Sequence, residues 1–267
     1  MILSSFKRLF SNTAKLLLCG GFFAGGVGSA IAQTTADPNV SIDQIGSENL
    51  AIVAQNGSNS STIVQNGSGN NATVSMNGGN NNSDVKQMGD NGTLTTHIDG
   101  DDNQFSVRQS GDGAKNNIDL AQDGSFNEID VVQDATGLTS GLANTADVFQ
   151  NGNGNLATVN QTAFFANSAK FSNQATISQT GDNNEASSTQ SGSNNKSEQI
   201  QEGDGNISRI IQDNDDNEAI HRQFGNNLSL SDGLYPDVSN MTIQQSGGAS
   251  ITIEQFGPGM VPPPPGQ

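Results

Sequence analysis

The chain has 267 residues, of which 32% are apolar; it has no tryptophan, one tyrosine and a formal net charge of −17 at neutral pH. That is too little apolar material for the large core of an ordinary globular domain, and the acidic balance disfavours nucleic acid and anionic membrane as partners. Gly, Asn, Ser and Gln fill the remaining space, a composition that would leave the same residues disordered if scrambled.

Residues 1–32 differ in kind from the rest of the chain. Lys7, Arg8 and Lys15 come before an apolar run over 16–32 that ends Ala30-Ile31-Ala32 ahead of Gln33, the basic, apolar, small order of a cleaved signal peptide. Five glycines interrupt the run and no basic flank comes after it, which argues against a membrane anchor. The only cysteine, Cys19, lies inside this segment, so the exported chain is expected to carry no disulfide. Without the segment, seven basic residues face 27 acidic ones and the net charge becomes −20. Such self-repulsion keeps an exported, aggregation-prone chain soluble. Residues 33–41 read as a short, flexible polar leader in which Pro38 discourages regular structure.

From 42 to 257 one short unit recurs, first seen as Gln44-Ile45-Gly46-Ser47-Glu48-Asn49-Leu50-Ala51-Ile52-Val53-Ala54-Gln55. Its anchors are Gln44, Gln55, Gln65, Met76, Gln87, Ile98, Gln109, Gln122 and Gln133, then Gln150, Gln161, Gln179, Gln190, Gln201, Gln212, Gln223, Gln245 and Gln255, most of them eleven residues apart. A glycine usually stands two places after the anchor, as Gly46, Gly152 and Gly181 do. An asparagine opens the next segment: Asn49, Asn70, Asn127, Asn155, Asn184, Asn195, Asn206, Asn217.

Between Asn and Gln the residues alternate with period two, the period of a strand and not of a helix. Asn49, Ala51, Val53 and Gln55 share one face, and Asn127, Ile129, Val131 and Gln133 repeat it; Ala157 and Ala186 take the place of Ala51 in their own units. The other face is polar and varies from unit to unit, so the regular face is expected to point inward. Asn56-Gly57, Asn66-Gly67 and Asn77-Gly78 would each signal a hairpin taken alone. Their periodic recurrence instead predicts arcs that bring unit n+2 over unit n, parallel and in register, with Asn on Asn and Gln on Gln as amide ladders. Two units make a coil, so eighteen anchors predict nine coils. At about 4.8 Å per strand the stack would be roughly 40 Å long.

The period breaks between Gln133 and Gln150 and between Gln161 and Gln179. The second break holds Phe164, Phe165 and Phe171, with Asn167, Ala169 and Phe171 spaced as another inward strand; a contact patch is the alternative. One anchor is missing between Gln223 and Gln245, where the stretch over 232–237 carries Pro236. Residues 258–267 form a proline-rich tail, a spacer or a cap that offers few ladder donors.

No catalytic or nucleotide signature is present, the glycines keep to the repeat, and His97 and His221 stand on different units. With one cysteine and two histidines no zinc cluster is expected. Calcium is weighed at the acidic arcs over 99–103 and 213–217. Gln104 and Glu218 stand where an EF-hand needs glycine, and the eleven-residue period differs from that of a calcium-binding nonapeptide roll. No cofactor, no metal and no catalytic residue is expected.

The pattern Gln-x-Gly-x-x-Asn-x-Ala-x-x-x-Gln resembles the curlin repeat of curli subunits, the amyloid fibres of bacterial biofilms. It is matched in full at Gln44-Gly46-Asn49-Ala51-Gln55, at Gln150-Gly152-Asn155-Ala157-Gln161 and at Gln179-Gly181-Asn184-Ala186-Gln190. Gln201-Gly203-Asn206-Ser208-Gln212 has Ser for Ala. The resemblance implies an all-β solenoid subunit, exported through an outer-membrane secretion pore and polymerised at the cell surface into adhesive fibres. Its implied partners are further copies of itself and a nucleator or sister subunit, with no nucleic acid. A monomeric secreted solenoid that binds ice, glycan or calcium is the competing class; it would need a flat outward array of like residues, and the outward positions vary.

Overall fold

The computed structural model describes residues 15–18, 29–34, 39–111, 115–135, 142–163, 173–227, 241–246 and 248–256. In chain order the strands are β1 (Lys15–Leu18), β2 (Ser29–Thr34), β3 (Asn39–Ile45), β4 (Leu50–Asn56), β5 (Ser60–Asn66), β6 (Asn71–Asn77), β7 (Asn82–Gly89), β8 (Thr93–Asp99), β9 (Gln104–Gly111) and β10 (Lys115–Asp123). They continue as β11 (Glu128–Asp134), β12 (Leu142–Asn151), β13 (Leu156–Thr162), β14 (Asn173–Thr180), β15 (Glu185–Ser191), β16 (Lys196–Glu202), β17 (Ile207–Asp213), β18 (Glu218–Phe224), β19 (Met241–Ser246) and β20 (Ser250–Phe256). Among the described residues there is no helix.

Odd-numbered strands form one ten-stranded sheet and even-numbered strands a second, each in the order of the chain. Neighbours within a sheet are parallel, as where β3 pairs β5 with Gln44 opposite Gln65, and β4 pairs β6 with Ala51 opposite Ala72. This is the all-β solenoid that the period predicts, and β3 to β20 make the nine coils. Alternation fixes the register: a slip of one residue would turn every inward side chain to solvent. In β4 the inward Ala51 and Val53 are fully buried while Leu50, Ile52 and Ala54 remain half-exposed.

Regular structure begins before the expected start at 42. Residues 39–41 belong to β3, and Gln33 and Thr34 to β2, so these parts of the expected flexible leader lie in the ladder. The reason is pairing: Asn39 lies opposite Ser60 and Gln33 opposite Ala54. β1 and most of β2 fall in the segment read as a signal peptide and add a coil at the N-terminal end. Insertions leave the rungs in register, since Gln122 and Gln150, 28 residues apart, still meet at 3.0 Å. Phe164, Phe165, Asn167, Ala169 and Phe171, the stretch around Pro236 and the tail over 258–267 lie outside the described residues.

The space between the sheets changes along the stack. From Val40 to Ala186 it is one apolar cluster of Val, Ile, Leu, Ala, Met76 and Phe105. A smaller cluster of Ile210, Ala219 and Ile243 lies near the C-terminal end. Around the junction the interior is polar, with Ser188, Ser197, Gln199, Ser208 and His221 all buried.

Candidate functional site: amide ladders, stacked arcs and open edges

One glutamine ladder runs unbroken through the odd-numbered sheet, from Gln44 by way of Gln65, Gln87, Gln109, Gln133, Gln161, Gln190 and Gln212 to Gln245. Each amide is fully used. Gln161 donates from Nε2 to Gln190 Oε1 at 2.8 Å and to the Thr145 carbonyl at 2.9 Å, while its Oε1 accepts from Gln133 Nε2 at 2.9 Å. The second bond crosses to the other sheet, so the ladder also joins the two layers. All rungs point one way, which presents an acceptor at the N-terminal rung, while Gln245 Nε2 at the C-terminal rung donates to the Glu218 and Ala249 carbonyls at 2.9 and 3.1 Å.

In the even-numbered sheet the ladder is interrupted. Gln122, Gln150, Gln179, Gln201, Gln223 and Gln255 are continuous, but Met76 and Ile98 stand between Gln55 and Gln122. The consequence is local: both amide atoms of Gln55 and Oε1 of Gln122 are buried without a partner. Replacing Met76 and Ile98 together by glutamine is expected to cost about 1–3 kcal/mol less than the sum of the single replacements, because only the pair reconnects the two ends. Hydrogen exchange at the Val74 and Thr96 amides reads this coupling, and strict additivity would show that the rung carries no weight.

Two asparagine ladders flank the strands. Asn49, Asn70, Asn116, Asn144, Asn173, Asn195 and Asn217 lead even-numbered strands, with Gly92 in one place; Asn59, Asn81, Asn103, Asn127, Asn155, Asn184 and Asn206 lead odd-numbered ones. Asn155 is representative, for its Nδ2 donates to the Gly181 carbonyl at 2.8 Å and to Asn127 Oδ1 at 3.2 Å, and its Oδ1 accepts from the Asn184 backbone at 2.9 Å. Carbonyls that an arc would otherwise leave unpaired are thereby satisfied. Asn59 and Asn144 escape a count that runs forward from glycine, because one arc is short and the other comes after an insertion. Counting six residues back from Gln65 and Gln150 finds both.

Ala51, Ala157 and Ala186 lie inward between the asparagine and glutamine of their strands, each at most 1% exposed. Gly46, Gly152 and Gly181 sit in the arcs with φ of 106°, 121° and 114°. Acidic residues join the arcs as well: Asp101 Oδ1 accepts from the Gly79 backbone at 2.6 Å and Asp215 Oδ1 from Ser193 at 2.8 Å. These carboxylates thus tie one arc to the arc before it. Among the described residues no three metal-ligating side chains come together.

His97 is exposed on the even-numbered sheet, whereas His221 is fully buried. His221 Nδ1 lies 2.7 Å from Ser208 Oγ, but the pair is sealed between the sheets and the other ring nitrogen faces Gln255 Oε1 at 3.0 Å. On the outer face Asp119 and Asp147 are register partners, and burial, with the Asp119 charge second, pushes the Asp147 carboxyl up from its ordinary value. Arg222 bonds Glu198 at 2.7 Å and Glu254 at 3.2 Å, tying β16, β18 and β20 together on the surface.

A model of the curlin associated repeat matches the chain over residues 37–64, 59–89, 141–168 and 172–198. No curated protein and no solved structure matches it.

Proposed function

Because the chain is a curlin-repeat protein, we propose that it is a structural subunit of extracellular curli-like amyloid fibres that serve cell adhesion and the biofilm matrix. The observation that carries the reading is the contrast between interior and ends. Inside the stack, most amides, carbonyls and arcs find partners one coil away, while among the described residues each sheet ends in a strand with a neighbour on one side only, and such an edge is a polymerisation site.

In this reading residues 1–32 are removed on export, which takes away β1 and most of β2 and leaves β3 and β4 as the N-terminal edge. The last coil of one copy then continues into the first coil of the next. Continued in register, β19 sets Gln245 over Gln44, and β20 sets Ile253 over Val53 and Gln255 over Gln55. The partnerless amide of Gln55 would gain its rung there. The contact is heterologous and does not close, so it builds a filament. The partners are further copies, a nucleator or sister subunit, and an outer-membrane secretion pore.

Chain starting at Gln33, held at micromolar concentration, is expected to form unbranched fibres with a meridional spacing of about 4.7 to 4.8 Å. Fibre diffraction on the purified protein tests this. A chain that stays monomeric over days even when seeded would reject the fibre function.

A further inference from the structure

We propose that His221 makes the C-terminal docking edge acid-sensitive: taking up a proton opens the last coil and halts addition of a further copy at that end. That the opened coil is a growth end rests on the fibre function proposed above; the opening itself does not.

On β18 the inward face reads Ala219, His221, Gln223, all fully buried. The imidazole takes the place that Val53 holds in β4, Val74 in β6 and Ile177 in β14, between Gln199 of β16 and Ile253 of β20. Its partners fix one neutral tautomer. Gln255 Oε1 can only accept, so Nε2 carries the proton. Gln199 Nε2 donates to Ser208 Oγ at 2.7 Å, which leaves the Ser208 hydroxyl to donate to Nδ1.

A second proton disturbs this arrangement. Protonated Nδ1 would meet Ser208, whose own hydrogen would have to leave the ring; turning the Gln199 amide to offer it the unpartnered Oε1 would give up the Gln199 Nε2 bonds to Ser208 Oγ and to the Ser187 carbonyl at 3.1 Å. Among the described residues no counterion stands ready either. The strands packed around the ring, β15, β16, β17, β19 and β20, turn only neutral side chains inward, and Glu198, Glu218, Arg222 and Glu254 lie on outward faces. Burial pulls the ring's pKa below its ordinary value, and the Gln255 hydrogen bond opposes this more weakly. A histidine with a depressed folded pKa contributes stability above its unfolded pKa of about 6.5, and that contribution is lost as pH falls through the folded value.

The strand that yields first is set by position. Among the described residues β20 pairs with β18 alone, its Ile251 and Ile253 are only half-buried, and its Gln255 Oε1 accepts from both His221 and Gln223. Rearrangement of the His221 contact therefore falls on the edge that would receive the next copy. Residues around Ile63, in the apolar part of the stack, have no such group.

The test uses chain from Gln33 carrying His97→Gln, so that His221 is the one imidazole. Hydrogen exchange is measured in Ser250–Phe256 at pH 7.5 and pH 5, corrected for intrinsic rates, with and without His221→Gln, which keeps a donor and an acceptor but takes up no proton. Protection is expected to fall between the two pH values by about tenfold for each unit by which burial lowers the pKa, up to a limit of about thirtyfold set by the interval between about 6.5 and pH 5. Protection in Ser60–Asn66 is expected to hold, and His221→Gln to lose the pH response even if it starts less protected. An equal response in both proteins, or none in either, would overturn the proposal. Seeded elongation at the two pH values then separates the two ideas. Absence of fibres at either pH rejects the fibre function while exchange still decides on His221; fibres that elongate equally at both, despite an opened coil, overturn the link to docking.

Discussion

Replacing Gly152 by alanine is expected to be among the most damaging single changes in the chain, although it adds one methyl to a surface arc. Gly152 has φ of 121°, a conformation open to glycine and strained by about 1–3 kcal/mol for other residues. The space is closed as well, because an added Cβ would land on the carbonyl oxygen of Gly181 in the arc above. Backbone cannot swing aside as a side chain can. To make room the arcs must separate, which pulls Gly152 O from Asn127 Nδ2 and Gly181 O from Asn155 Nδ2, both at 2.8 Å. Strain and the unmade hydrogen bonds together suggest a loss of about 3 kcal/mol or more. Gly79→Ala is the control: no positive φ constrains Gly79, and its Cβ would meet only Asp101 Oδ1 at an ordinary 3.5 Å. Exchange protection in β12 to β15 for the first variant and in β6 to β9 for the second gives the comparison, and equal losses would reject arc stacking as the reason for glycine.

Gln161→Ala is expected to cost about 2–5 kcal/mol, from some two or three buried groups left unpaired at about 1–3 kcal/mol each. Gln133 loses the acceptor of one N–H, Gln190 Oε1 loses its donor, and the Thr145 carbonyl loses the bond that crosses between sheets. Asn160→Ala, one residue away on the exposed face, should change stability by less than about 0.5 kcal/mol. The natural break at Met76 and Ile98 shows that an apolar residue is accommodated in a rung, with the loss appearing at the neighbours, Gln55 and Gln122. Damage from Gln161→Ala should likewise spread to the rungs on either side, seen as faster exchange at the Val131 and Ser188 amides. Loss confined to β13 would mean that the rungs act independently.

The repeating features were legible in the sequence. The period of eleven, the alternation from Asn49 to Gln55 and the glycine two places after most anchors fix strands, inward face and parallel register together, because most rungs pack on their own kind and the same local choice recurs from coil to coil. A residue that breaks the pattern meets partners chosen by which coil lies above or below. Asp101 and Asp215 read as solvated turns or weak cation ligands, yet they accept backbone bonds from arcs 22 residues earlier in the chain. Gln55 Nε2 lacks its acceptor because Met76 faces it from the next coil of the same sheet. His221 is bound to Ser208 and Gln255, thirteen and 34 residues away and in different sheets. Even the start of β3, three residues earlier than the repeat suggests, was decided by the strand waiting beside it. Periodic residues carry their contacts with them in sequence; single ones receive theirs from the stack.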